Sequence, residues 1–245
     1  MTSPHAALST AAQLFDGDGG EKPTPRAILT LDALDLAALL CSRVCHDVIS
    51  PVGAIVNGLE VLEDEKDAEM RAFATELIKK SAKTASARLQ FCRLAFGAAG
   101  SAGASIDTGD AESVTRNLIA DDRTKIVWNA PRVLLPKNKV KLMLNLCLIA
   151  GAAIPRGGVI MVTVEGEDAA TCVSVSATGT YARLSHGVPA LLAGRPETDS
   201  VDAHGIQAYY TGLVARACGM DLSVATTAEG IDLRAVPAAR AEASA

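Results

Sequence analysis

Apolar residues return every three or four positions early in the chain. Leu40, Val44, Val48, Pro51, Ile55, Leu59 and Leu62 are spaced 4, 4, 3, 4, 4 and 3. This spacing holds them on one stripe of a helix, so a long amphipathic helix is predicted from Leu31 to Glu63. The charged run EDEKD at 63–67 reads as a turn. A second helix follows from Ala68 to Phe96, stopped by Gly97 and the segment GAAGSAGAS. Two amphipathic helices joined by a short turn form a hairpin. One hairpin encloses no core, whereas two make a four-helix bundle, so a homodimer is expected.

Past Ile106 the pattern changes. A helix is predicted at 108–120 and a strand at KIVWNA, 125–130. Lys137 to Ala153 is an apolar helix, ended by Pro155 and the turn residues Gly157 and Gly158. VIMVTVEG (159–166) and CVSVSA (172–177) alternate as strands do. A helix from Gly205 to Ala217, closed by Gly219, precedes two short strands at 221–225 and 231–236. The predicted organisation is a tail at 1–30, a helical hairpin at 31–97, a linker at 98–106, an α/β unit at 107–237 and a second tail at 238–245. The fold class is α+β.

Composition narrows the partners. Of the 245 residues 49% are apolar but only 3% aromatic, so the core is aliphatic. A net charge of −5 argues against nucleic acid, whose phosphates are bound by clustered Lys and Arg. No uninterrupted apolar run approaches the roughly 20 residues that span a bilayer, and the N-terminus lacks the charged and apolar regions of a signal peptide. A cytoplasmic protein with no membrane partner is expected. The cysteines, at 41, 45, 92, 147, 172 and 218, have no metal-ligand spacing and are expected to be buried reduced thiols.

The chemistry concentrates in CHDVISP, residues 45–51. At about 100° per residue, His46 points roughly opposite Val44 and Val48 and therefore faces water. Its neighbours on that face are Ser42, Arg43, Ile49, Ser50, Gly53 and Asn57, mostly small or polar, as though another helix had to lie there. Pro51 removes a backbone hydrogen bond inside the helix, at a cost of about 3 kcal/mol in an ordinary helix interior. Something should compensate for it.

His46-Asp47-Val48-Ile49-Ser50-Pro51 resembles the H-box of sensor histidine kinases, in which a histidine on the first helix of a dimeric four-helix bundle carries a phosphoryl group. Residues 138–164 are similar in rhythm to the ATP-binding domain of those kinases. Asn145 and Leu146 fit its helix, but the family's magnesium-ligating Asn falls on Ile149. The family's adenine-binding Asp falls on Ala177, and the second glycine of that motif on Tyr181. The last glycine loop shrinks to Asp202-Ala203-His204-Gly205-Ile206-Gln207, with a single glycine. Without those groups there is no oxygen for Mg²⁺, no acceptor for the adenine amino group and no backbone cradle for phosphates. A degenerate histidine-kinase-type ATP-binding α/β sandwich that binds no nucleotide is expected.

Residues 31–237, with ARLQFCRLAFGA at 87–98 among them, resemble the ChpT-type histidine phosphotransferases of alphaproteobacteria. The resemblance implies that His46 takes a phosphoryl group from the receiver domain of a hybrid histidine kinase and passes it to receiver domains of cell-cycle response regulators. It implies no cofactor or metal held by this chain, with Mg²⁺ supplied by the partner receiver. Asp47 orients the ring or accepts its proton, or is a solvated helix carboxylate. Arg43 steadies phosphoryl oxygens, or forms a surface salt bridge. Ser42, Ile49, Ser50, Gly53 and Asn57 receive a receiver helix, or Ser50, Gly53 and Asn57 are ordinary helix surface, and the hairpin geometry brings Arg88, a further partner-binding candidate, and Gln90 near the site. His186 and His204 have no partner spacing that suggests catalysis. Two rival functions share these features: an active histidine kinase with an atypical ATP site, and a non-catalytic dimeric scaffold or kinase inhibitor.

Overall fold

The computed structural model describes residues 27–97, 104–198 and 200–239. The two predicted tails lie almost wholly outside these residues, as do 98–103 of the predicted linker, whose last residues enter a strand at Ser105. Helix α1 spans Ala33–Asp64 and α2 spans Ala68–Ala95. Each starts on an aspartate that satisfies otherwise unpaired amides. Asp32 accepts from the Leu34 amide at 2.8 Å, and Asp67 accepts from those of Glu69 and Met70. Between the helices Glu65 accepts from the Lys66 and Asp67 amides, which lowers its carboxyl below the usual range. The helices run side by side, and Gly58 allows the approach: a Cβ there would stand 2.6 Å from the Ile78 side chain.

The α/β unit begins with β1 (Ser105–Asp107) and α3 (Thr108–Ile119). It continues through β2 (Thr124–Asn129), β3 (Leu134–Pro136), α4 (Lys137–Ala153), β4 (Gly158–Glu165) and β5 (Cys172–Thr178). The short α5 (Val188–Leu192), α6 (Ile206–Ala217), β6 (Met220–Thr226) and β7 (Gly230–Pro237) complete it. Five strands form one sheet in the order β2-β4-β5-β7-β6, in which β2 and β4 are parallel and the other pairs antiparallel. β1 pairs with β3 in a separate antiparallel ribbon. Helix α4 is apolar almost all round because it is buried, with Leu142, Met143, Leu144 and Leu146 fully enclosed. At its end Gly157 takes a φ of +89°, and a Cβ there would meet the Arg123 carbonyl at 2.5 Å. The turn can be made only by glycine.

One apolar core runs through the molecule. Phe91 and Ala95 at the end of α2 belong to the same cluster as Val140 and Leu146 of α4 and Leu233 of β7. The α4 helix is found where its apolar run predicts. The elements that sequence periodicity misses are short: β1, β3 and α5 have 3, 3 and 5 residues.

Three expectations need correction. Cys41 and Cys45 are exposed, Cys92, Cys172 and Cys218 are partly buried, and only Cys147 is buried; all six are free thiols. Leu59 of the predicted core stripe is 48% exposed. By length and composition α1 is apolar enough to cross a membrane. Short apolar runs concealed this, because the helix is apolar on two faces. One packs along α2 through the half-buried Val44, Val48 and Ile55, and the other carries the exposed Ile49, Val52, Val56 and Leu59.

Candidate functional site

His46 lies near the middle of α1, with its side chain 86% exposed. Its Nδ1 stands 3.7 Å from Oδ1 of Asp47. The other carboxylate oxygen of Asp47 accepts from Arg43 Nε at 3.0 Å, one turn back along the helix. From α2, Arg88 donates through Nη1 to the backbone carbonyl of Asp47. Asp47 is thus held at both its side chain and its main chain, and the imidazole beside it projects into solvent. Arg43 and Arg88, expected as partner-facing groups, are half-buried and turned onto Asp47. Gln90 faces away and bonds Ser86.

Ser42, Ile49, Ser50 and Asn57 are exposed, and Gly53 is half-buried. Among the described residues nothing lies within 4 Å of where a Cβ on Gly53 would stand, so none of them occupies the space above it. The structure therefore leaves a low surface beside the histidine. Ile49 also continues the exposed apolar stripe of Val52 and Val56.

Beneath Asp47, between the hairpin and the α/β unit, lies a cleft of about 370 Å³. Arg43, Asp47 and Arg88 line its mouth, Cys92 and Phe96 its α2 wall, and Arg123 the side toward β2. Burial, with the Asp47 charge nearby, raises the Cys92 thiol above its usual value. The pattern of α2 did not show that Cys92 lines the site, and Arg123 comes from a loop that no periodicity marks.

The region that resembles a kinase nucleotide site keeps a cavity of about 420 Å³, lined by Ile149, Asp202, His204, Gly205 and Gln207 among others, but its polar groups are engaged elsewhere. Asn145 is fully buried. Its Nδ2 donates to the carbonyls of Ala95 (3.1 Å) and Lys141 (2.8 Å), while its Oδ1 accepts from Gln207 Nε2 at 2.6 Å. Ile149 is buried and offers no oxygen. Ala177 is buried inside β5 between Ile160 and Ile231. Asp202 Oδ1 accepts from the His204 and Gly205 amides at 3.1 and 2.7 Å, so those amides are already engaged. Tyr181 keeps a left-handed backbone, φ +63°, where the motif has glycine, and its ring lies 4.3 Å from the Arg156 guanidinium. The donor set for Mg²⁺-nucleotide does not fit these residues. Among the described residues no group of three or more His, Cys, Asp or Glu could hold a metal ion.

A solvent-facing imidazole beside a braced carboxylate, on a helical hairpin backed by an α/β unit, is the arrangement of a histidine phosphotransfer protein. The histidine phosphotransferase C-terminal domain model matches residues 108–230. Protein phosphotransferase ChpT of Brucella abortus (strain 2308) is 53% identical over 203 residues, 83% of this chain and 96% of the relative. A bacterial phosphotransferase solved at 1.7 Å superposes with a TM-score of 0.78 at 48% identity, over 85% of this chain and 98% of that one. The chain belongs to the histidine phosphotransferase family and is a phosphotransferase of phosphorelay signalling.

Proposed function

We propose that His46 carries the phosphoryl group between aspartates of two receiver domains, one of a hybrid histidine kinase and one of a response regulator. A lone pair on a ring nitrogen attacks phosphorus, the P–O bond to the donor aspartate breaks, and the carboxylate leaves. The acceptor aspartate then attacks the phosphohistidine, and the nitrogen takes back its electron pair. Only the neutral ring has a free lone pair for this attack. Because Nδ1 is the nitrogen near Asp47, Nε2 is the outward one and the attacking atom. Such transfer needs position and charge neutralisation more than covalent help. The receiver brings Mg²⁺, and Asp47 sets the ring. The surface of Ser42, Ile49, Ser50, Gly53 and Asn57 accepts a receiver helix.

ATP has no part in this reading, because Asn145 is tied into the core and positions 149 and 177 are apolar. In this reading the exposed stripe of Val52, Val56 and Leu59 pairs with a second copy to complete a four-helix bundle, and the protein works in the cytoplasm beside its receivers. The observation that carries the proposal is the 86% exposure of His46 beside an Asp47 held through one carboxylate oxygen and its carbonyl.

The test supplies labelled phosphoryl groups from two sources, a phosphorylated receiver domain of a hybrid kinase or ATP alone, to wild type and to His46→Ala. Label arriving from the receiver only, and only with His46 present, is the expected result. Label taken from ATP establishes a kinase instead. Wild type that takes no label from a receiver it demonstrably binds is a docking scaffold.

A further inference from the structure

Pro51 and Arg88 are complementary. In an α-helix the amide of residue 51 donates to the carbonyl of residue 47. Proline has no amide hydrogen, so the carbonyl of Asp47 loses its helical donor. That same carbonyl receives Nη1 of Arg88 from the neighbouring helix. Pro51 is buried and Arg88 half-buried, so water is a poor substitute there. A charged donor to an otherwise unpaired carbonyl is among the stronger hydrogen bonds of a protein.

We infer that Arg88 is a positioning residue for the transfer reaction: it supplies the hydrogen bond that Pro51 removes and so fixes the helix segment from which His46 projects. That turn gives the imidazole its angle, and Arg88 ties it to α2. Arg43 secures the carboxylate of the same residue, so the two arginines divide Asp47 between them. Arg88 touches neither the ring nor the phosphoryl group. This inference rests on the proposed role of His46.

A double-mutant cycle in the full chain tests it. Arg88→Met is expected to slow single-turnover transfer from a phosphorylated receiver by about tenfold or more, since small displacements of a reacting group cost that much. Arg88→Lys, which can still donate to the carbonyl, is expected to stay within about threefold of wild type. Pro51→Ala restores the amide of residue 51, so in that background Arg88→Met is expected to cost less than about twofold. A loss of equal size in both backgrounds overturns the inference, because Arg88 then acts on the partner or the phosphoryl group. The carbonyl carbon shift of Asp47, read through the Val48 amide, is a second measurement that needs no partner. It should move upfield in Arg88→Met and stay put when the same change is made with Pro51→Ala, and an unmoved shift in Arg88→Met also overturns the inference. Wild type that accepts no label defeats the role of His46 and the positioning role with it, while the carbonyl shift still reports separately on the bond.

Discussion

Asn145 shows what one buried carboxamide does here. Its two protons and its oxygen bind the last turn of α2, its own helix and Gln207 of α6. Replacing it with leucine leaves the Gln207 amide and the Ala95 carbonyl without partners in the core. Each orphaned buried group costs about 1–3 kcal/mol. Asn145→Leu is therefore expected to lower unfolding free energy by about 2–6 kcal/mol in urea titrations, while the folded fraction still transfers phosphoryl groups. The residue is legible in the sequence as part of a kinase-like helix. Its bonds to Ala95 and Gln207 are not, because those partners lie 50 and 62 positions away. The same holds at the site. His46 and Pro51 stand out locally, whereas the arginine that answers Pro51 lies 41 residues beyond Asp47, whose carbonyl it bonds, and depends on the register of α2.

Among the elements, α1 is unusual in having two apolar faces. Against α2 it places Val44, Val48 and Ile55; outward it shows Ile49, Val52, Val56 and Leu59, which are 43–70% exposed. Near the turn Met70 and Phe73 of α2 are also exposed. A contiguous apolar stripe of this kind marks an association surface. Val56→Asp is expected to convert a dimer into a monomer that keeps its helical circular dichroism, as measured by light scattering, because an unpaired charge cannot be buried at the seam. A normal dimer with this substitution would exclude the stripe as the seam. The wheel found the inward face, but a single stripe could not separate what α2 covers from what remains open. The strands β1 and β3 escaped for a different reason. Three residues show no period, and each strand is defined only by its pairing with the other.

At the scale of the whole molecule, the hairpin and the α/β unit share one core. That core holds Cys147, whose thiol burial pushes up to about 12 from 9.0. The folded protein keeps this proton, while the unfolded chain loses it above about pH 9. Stability is therefore whole below pH 9 and declines as pH climbs toward 12, by at most about 1.4 kcal/mol per pH unit for one proton. Melting curves between pH 8 and 10.5 should show this decline, and Cys147→Ala should make it shallower, the remainder coming from thiols such as Cys218, which burial pushes up to about 11. In wild type Cys41 and Cys45 are expected to react promptly with an alkylating reagent, and Cys147 only on unfolding.

The Tyr209 hydroxyl of α6 accepts from the Leu31 amide and donates to the Leu29 carbonyl, joining positions 178 and 180 residues apart. A ribosome adding about 5–20 residues per second takes roughly 10–35 s to travel that far. Through that interval the lead-in to α1 exists without the hydroxyl that will fasten it. The apolar stripe of α1 is already in solution, where nascent chains on one message could meet. The order of synthesis thus lets two hairpins find each other before either α/β unit is complete.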